Sequence, residues 1–244
     1  MTRAAAGDRR RMLLLGLSLW LLVVLPLALL VGLKWEPLLR LDRSVVDALH
    51  PPAAEHPAFE GLLNLVTTAG TSWFRWLVLA PVAIWAFRSG RLRLGWLLVV
   101  AAGLIGVVTS GLKLLVDRDR PDFPDPIFVS DSLSHPSGHS SGVVTLVGLL
   151  LVAFLRLQPP RHRVATVVGG LVLVLAVGLT RIVLGAHYAS DVVAGFALGA
   201  GWVLVLTALF DALPGPVQEQ PDGERLLRKQ LPTERGLDEH GPAT

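Results

Sequence analysis

Four stretches of this chain, 12–33, 94–116, 164–184 and 190–210, hold no more than one charged side chain each. A helix needs about 20 apolar residues to cross the ~30 Å hydrocarbon core of a bilayer, and each of the four is long enough. Two further runs, 72–87 and 138–155, are shorter or more polar, and the first carries Arg75. Together they predict an all-α polytopic membrane protein, a bundle of six transmembrane helices. Composition agrees: 52% of the 244 residues are hydrophobic and only 17% charged, which does not suit a soluble globule. The wealth of Leu, Val and Ile also excludes disorder over most of the chain. Cysteine is absent, which removes disulfides, Cys-ligated zinc, iron–sulfur clusters and a thiol nucleophile. The formal net charge is only +3, so the pI of 9.9 reflects how few side chains titrate above neutrality and implies no nucleic-acid partner.

The organisation follows from these runs. Residues 1–11 form a basic N-terminus and 12–210 the membrane domain. Within that domain 34–71 is a mixed loop with a short interfacial helix at 59–66. Residues 211–244 turn polar and rich in Pro, Glu and Arg, and are expected to be a disordered tail. The first run is longer than the 7–15 apolar residues of a cleavable signal and is expected to be a retained span. Short-loop basic residues set the orientation. Arg3, Arg9, Arg10 and Arg11, then Arg88, Arg91 and Arg93, then Arg156, Arg161 and Arg163 all fall on one side, which is therefore cytoplasmic along with both termini.

Ionisable groups in or beside spans are expensive and functional by default. Lys113 lies in the last turn of the third span, with Arg118 and Arg120 after it; His139 opens the fourth; Arg181 ends the fifth; His187 and Asp191 flank the turn into the sixth. The topology carries all of them to the extracytoplasmic face, and chance would have scattered them over both. Pro121 disfavours helix at Arg120. Pro136-Ser137-Gly138-His139 reads as a helix start, with Ser137 as N-cap and Gly138 allowing close approach of a ligand to free N–H groups. His187 and Asp191 are one helical turn apart, so the carboxylate can fix the imidazole tautomer. Arg181 would point away from His187 on a continuous helix, and Gly185 permits the break that joins them. Fixed cations, an anion nest and two imidazoles suit a phosphoryl group, one His attacking phosphorus and the other protonating the departing oxygen.

These residues resemble the type 2 phosphatidic acid phosphatase (PAP2) superfamily of integral-membrane lipid phosphatases. Its first block, Lys, six residues, Arg-Pro, is matched by Lys113 to Arg120-Pro121; its second, Pro-Ser-Gly-His, by Pro136 to His139; its third, Ser-Arg, five residues, His, three residues, Asp, by Thr180-Arg181, His187 and Asp191. Thr180 in place of Ser is the one departure and keeps a hydroxyl. The resemblance covers roughly residues 60 to 205. It implies a covalent mechanism with no metal and no cofactor. His187 would be the nucleophile that becomes phosphohistidine, Asp191 its orienting partner and His139 the general acid. Lys113, Arg120, Arg181 and the Ser137 and Gly138 backbone would hold the phosphate.

The implied substrate is a membrane lipid phosphate, phosphatidate-like or undecaprenyl diphosphate-like, taken from the bilayer; no oligomeric state is assigned. Two alternatives use the same groups differently: a phosphotransferase passing the phosphoryl group to another lipid, and a non-catalytic anion or lipid-phosphate binding or transport protein. Asp117, Asp119, Asp122 and Asp125 are expected to form a solvated loop partly offsetting Arg118, which stands outside the family pattern. His50, His56, His162 and His240 are expected to be bystanders in loops and tail. Gly195 and Gly199 form a small-residue face expected to pack within the bundle.

Overall fold

The computed structural model describes residues 3–212, apart from positions 125 and 129. The tail expected at 211–244 thus lies outside the described residues beyond Ala212. α1 (Arg3–Leu19) runs through a π-helical turn (Trp20–Val24) into α2 (Leu25–Gly32). That widened turn sits just ahead of Pro26, which has no N–H to continue the regular bonding.

The loop expected at 34–71 is instead mostly helical: α3 (Glu36–Leu49), α4 (Pro51–Glu55) and α5 (Pro57–Thr67). Each carries a proline in its first turn, where a missing N–H costs nothing. α5 covers residues 59–66, where a short helix was expected. α3 buries Asp42 and Val46, a four-residue spacing that puts both on one face.

The remaining helices are α6 (Ser72–Arg88), α7 (Leu92–Val116), α8 (Gly138–Phe154), α9 (Pro160–Val183) and α10 (Ala189–Phe210). Five helical stretches are long and apolar enough to cross a membrane: Gly7–Gly32, Leu92–Val116, Gly138–Leu157, Pro160–Val183 and Ala189–Phe210. α6 has 17 residues, with Arg75 buried in its first turn. The helices interlock around Leu79, Leu97, Leu98, Leu146, Leu149 and Val203, contributed by α6, α7, α8 and α10. Their outward sides expose apolar residues such as Leu22, Val107, Leu115 and Val172.

Between helices in lipid there is little hydrophobic drive, so close backbone approach matters more. At Gly195 a Cβ would lie 2.6 Å from Ser137 O, and at Gly199 2.6 Å from Ser141 O. The glycine face of α10 therefore packs on α8 within the chain, as its sequence implied. This contact fixes the first turn of α8 against the second and third turns of α10.

Candidate active site

The segment between α7 and α8 leaves the helix at Asp117, which takes a left-handed conformation (φ 51). It returns through Ser134, whose N–H donates to Arg118 O at 2.7 Å. Ser137 then caps α8, its side chain accepting from Ser140 N–H, while its own N–H donates to Asp191 O at 2.9 Å. Gly185, with φ +69, ends α9; Ala186 and His187 both donate their N–H to Arg181 O, at 3.0 and 3.1 Å. The chain folds back over the last turn of α9, and a Cβ on Gly185 would meet the His50 and Phe123 rings at 2.9 Å.

His187 is buried in this turn. Its Nε2 stands 3.2 Å from Arg120 Nη1. A guanidinium only donates, so Nε2 carries the lone pair and the proton is on Nδ1. Nδ1 is 3.3 Å from Ser134 Oγ, and that hydroxyl donates to Asp191 Oδ2 at 2.5 Å. The direct Nδ1–Oδ2 separation is 3.5 Å, so the carboxylate acts on the imidazole largely through Ser134. Burial pushes the His187 pKa down, to about 3, and the ring is a neutral base at physiological pH.

Asp191 is wholly buried and accepts from every side. Besides Ser134, it takes Tyr188 N–H at 2.9 Å, His135 Nδ1 at 3.0 Å and Arg118 Nη1 at 2.7 Å. Arg118 reaches past it to Asp42 Oδ2 on α3 at 2.7 Å, donates to Ser190 Oγ at 2.8 Å and lies over the Tyr188 ring. Ser190 N–H closes the circuit on Asp42 Oδ1 at 2.9 Å. This corrects the expectation for Arg118: it is a buried clamp between two carboxylates, because the αL turn at Asp117 swings it inward while Asp117, Asp119 and Asp122 stay exposed.

The other cations have fewer charged partners. Lys113 Nζ donates to Leu133 O and to Ser134 O. Arg120 donates to Ser132 O and Ala186 O, each at 2.6 Å, and to Ser132 Oγ. Arg181, 1% exposed, donates one bond to Thr67 Oγ1 at 3.1 Å, and its Nε and Nη2 have no partner among the described residues. The Phe128 ring lies under both guanidinium groups, 5.2 Å from Arg120 and 4.7 Å from Arg181. His139 faces a cavity it shares with Lys113 and Gly138. The eight residues singled out in the sequence thus gather where α7 ends, α8 begins and α9 turns into α10.

Several neighbours were not foreseen. Ser134 and His135 directly precede the Pro-Ser-Gly-His run, and Ser190 adjoins Asp191, so adjacency was their only signal. Asp42 had none. His50, expected to be a loop bystander, is buried, its Nδ1 3.1 Å from Val183 O and its ring stacked on Phe123. Among the described residues no group of three or more His, Asp or Glu is placed to hold a metal ion; Asp125 lies outside them.

Residues 94–214 match the model of the PAP2 superfamily. The chain is 34% identical over 176 residues to the decaprenylphosphoryl-5-phosphoribose phosphatase of Mycobacterium tuberculosis, an alignment covering 70% of this chain and 90% of that protein. The chain belongs to the PAP2 superfamily. A second relative, the lipid A 1-phosphatase of Rhizobium etli, is 39% identical over 137 residues, which span 52% of this PAP2 chain but only about half, 55%, of that protein. The crystal structure of a transmembrane PAP2-type phosphatidylglycerolphosphate phosphatase from Bacillus subtilis shares the fold, with a TM-score of 0.67 over 82% of this chain and 97% of that one at 23% identity. With that neighbour and its own apolar helices, this PAP2 chain is a membrane protein, and its relatives are named phosphatases.

Proposed function

We propose that this PAP2 chain is a lipid phosphate phosphatase, hydrolysing a phosphomonoester or diphosphate of a membrane lipid at the extracytoplasmic face without a metal. His187 Nε2 forms a bond to phosphorus as the bond from phosphorus to the lipid oxygen breaks, and His139 gives that oxygen its proton. Water then attacks the phosphohistidine, His139 takes its proton, the N–P bond breaks and inorganic phosphate leaves. Lys113, Arg120, Arg181 and the Gly138 N–H carry the charge on the phosphoryl oxygens; the Ser137 N–H, expected to join them, is already given to Asp191 O. Asp191 stabilises the Nδ1–H of the phosphorylated ring through Ser134.

The observation that carries this reading is the buried, neutral His187, its Nε2 lone pair set among cations and its Nδ1–H leading through Ser134 to Asp191. The relatives' names support the class: one dephosphorylates a polyprenyl phosphoribose, another lipid A. In the membrane, 12–210 forms the catalytic domain with α6 crossing as the second of six spans, both termini cytoplasmic and 34–71 outside. The count of Lys and Arg on each side supports that orientation.

The test is phosphate release by purified protein in detergent with excess EDTA. Phosphatidate, lysophosphatidate, phosphatidylglycerophosphate and undecaprenyl diphosphate are offered to wild type and His187→Ala. EDTA-resistant release that vanishes in the variant is expected. Transfer of label to a second lipid without free phosphate would replace hydrolysis by phosphotransfer, and turnover surviving in His187→Ala would remove the nucleophile.

A further inference from the structure

Arg75 sits in the first turn of α6 and is only 3% exposed. Its Nε donates to Ala102 O on α7 at 3.3 Å and its Nη2 to Ser72 Oγ at 3.1 Å. Both acceptors are neutral, and Arg75 makes no ion pair among the described residues. A cation buried in an apolar bundle without a carboxylate is costly until a counter-charge reaches it.

The guanidinium faces space continuous with the proposed active site. Two adjoining cavities share Ser72, Arg75, Gly106 and Ser110 in their walls. The inner one, about 270 Å³, extends from Arg75 to Lys113 and His139. The outer one, about 630 Å³, runs between α6 and α7 past Trp76 and opens beside Val107 and Leu114, which are 67% and 75% exposed. Depth is set by α8: Arg75 Nη1 lies 2.7 Å from where a Cβ of Gly142 would stand. Gly142 follows His139 by three residues, which is about one helical turn, or ~5 Å along the axis. The passage therefore leads from His139 and Lys113, to a cation one turn deeper, to an apolar exit.

We propose that Arg75 is a second anion subsite, holding a phosphodiester that a short polyol separates from the phosphomonoester bound at Lys113, Arg120 and Arg181, with the lipid tails leaving between α6 and α7. This rests on the phosphatase reading above and narrows it to lipids with two phosphates. A lipid with a single phosphate offers that depth only neutral oxygens or hydrocarbon, and leaves the cation unanswered.

The experiment compares phosphatidylglycerophosphate with phosphatidate of identical acyl chains, in neutral detergent micelles at matched mole fraction. Wild type is expected to favour the two-phosphate lipid in kcat/KM by about tenfold or more, the worth of a charged hydrogen bond. Arg75→Met should collapse that ratio, losing far more on phosphatidylglycerophosphate than on phosphatidate, and Arg75→Lys should recover part of it. An unchanged ratio, or equal losses on both lipids, would overturn the subsite. A readout independent of turnover separates this from the parent reading. Phosphatidylglycerol, which has only the diester, should raise the melting temperature of wild type above the effect of diacylglycerol, and should do so less in Arg75→Met. If wild type hydrolyses neither lipid, the phosphatase reading fails while this shift still decides the subsite; its absence in wild type would overturn the subsite.

Discussion

Arg118 and Arg181 are both buried at the same end of the bundle, yet the protein treats them in opposite ways. Arg118 is closed between Asp42 and Asp191, with Ser190 and the Tyr188 ring completing its shell. Arg181 is given one hydroxyl and the face of Phe128, and keeps two N–H-bearing nitrogens without a partner among the described residues. The first is neutralised by fixed carboxylates and stabilises the fold. The second, in the reading proposed here, is a charge the fold leaves for an anion. On this account the half of the site around Asp191 is built for rigidity, and the half around Arg181, Arg120 and Lys113 for binding.

Substitutions at these two arginines should therefore separate stability from activity. Arg118→Met leaves Asp42 and Asp191 buried without their cation and should cost about 3–5 kcal/mol of stability, read by unfolding in mixed micelles. A loss no greater than that of an ordinary surface variant would mean the clamp is not structural. Arg181→Met should do the reverse: melting temperature equal to or above wild type, and kcat/KM lower by about a hundred- to a thousandfold, the worth of a preorganised charge donor. A destabilised Arg181→Met would make the two arginines alike and end the comparison.

Smaller effects refine the boundary between the halves. Ser134→Ala breaks the relay from His187 Nδ1–H to Asp191 and should lower kcat by about tenfold with little change in KM, a charged hydrogen bond's contribution. An effect confined to KM would place Ser134 on the substrate instead. The last concerns pH. With its folded pKa held near 3, His187 stays unprotonated as pH falls from 7 to 5, whereas the unfolded chain binds its proton near the ordinary value of about 6.5. Its contribution to stability is thus fully present above about 6.5 and is lost progressively as pH drops toward the folded value. Nitrogen NMR of labelled histidine, assigned with His187→Ala, should show a neutral ring at pH 5; a midpoint near 6.5 would contradict the burial argument.

Much of the proposed binding half was legible in the chain. Lys113, Arg120, Arg181, His139 and His187 stand at span ends, where the apolar runs make them conspicuous, and the expected ends of α7 to α10 agree with the structure within a few residues. Of the rigid half only Asp191 was, through its spacing from His187. Asp42 lies 76 residues from Arg118 along the chain, on a helix whose buried face includes a carboxylate and so breaks the apolar pattern by which a helix is read. Arg118 stands among four aspartates that make it look solvated, and only the left-handed turn at Asp117 reveals which carboxylates it meets. The break at Gly185 was readable because a glycine between Arg181 and His187 had a geometric task.

The most direct measurement is to trap the phosphorylated enzyme. Purified protein is mixed briefly with a lipid labelled in its terminal phosphate, denatured in alkali and analysed for covalent label. Wild type should carry acid-labile, alkali-stable phosphate on the peptide containing His187, and His139→Ala should retain the label longer, because the water that releases it lacks its base. Turnover of the lipid with no label on His187, or with label on another residue, would contradict the account.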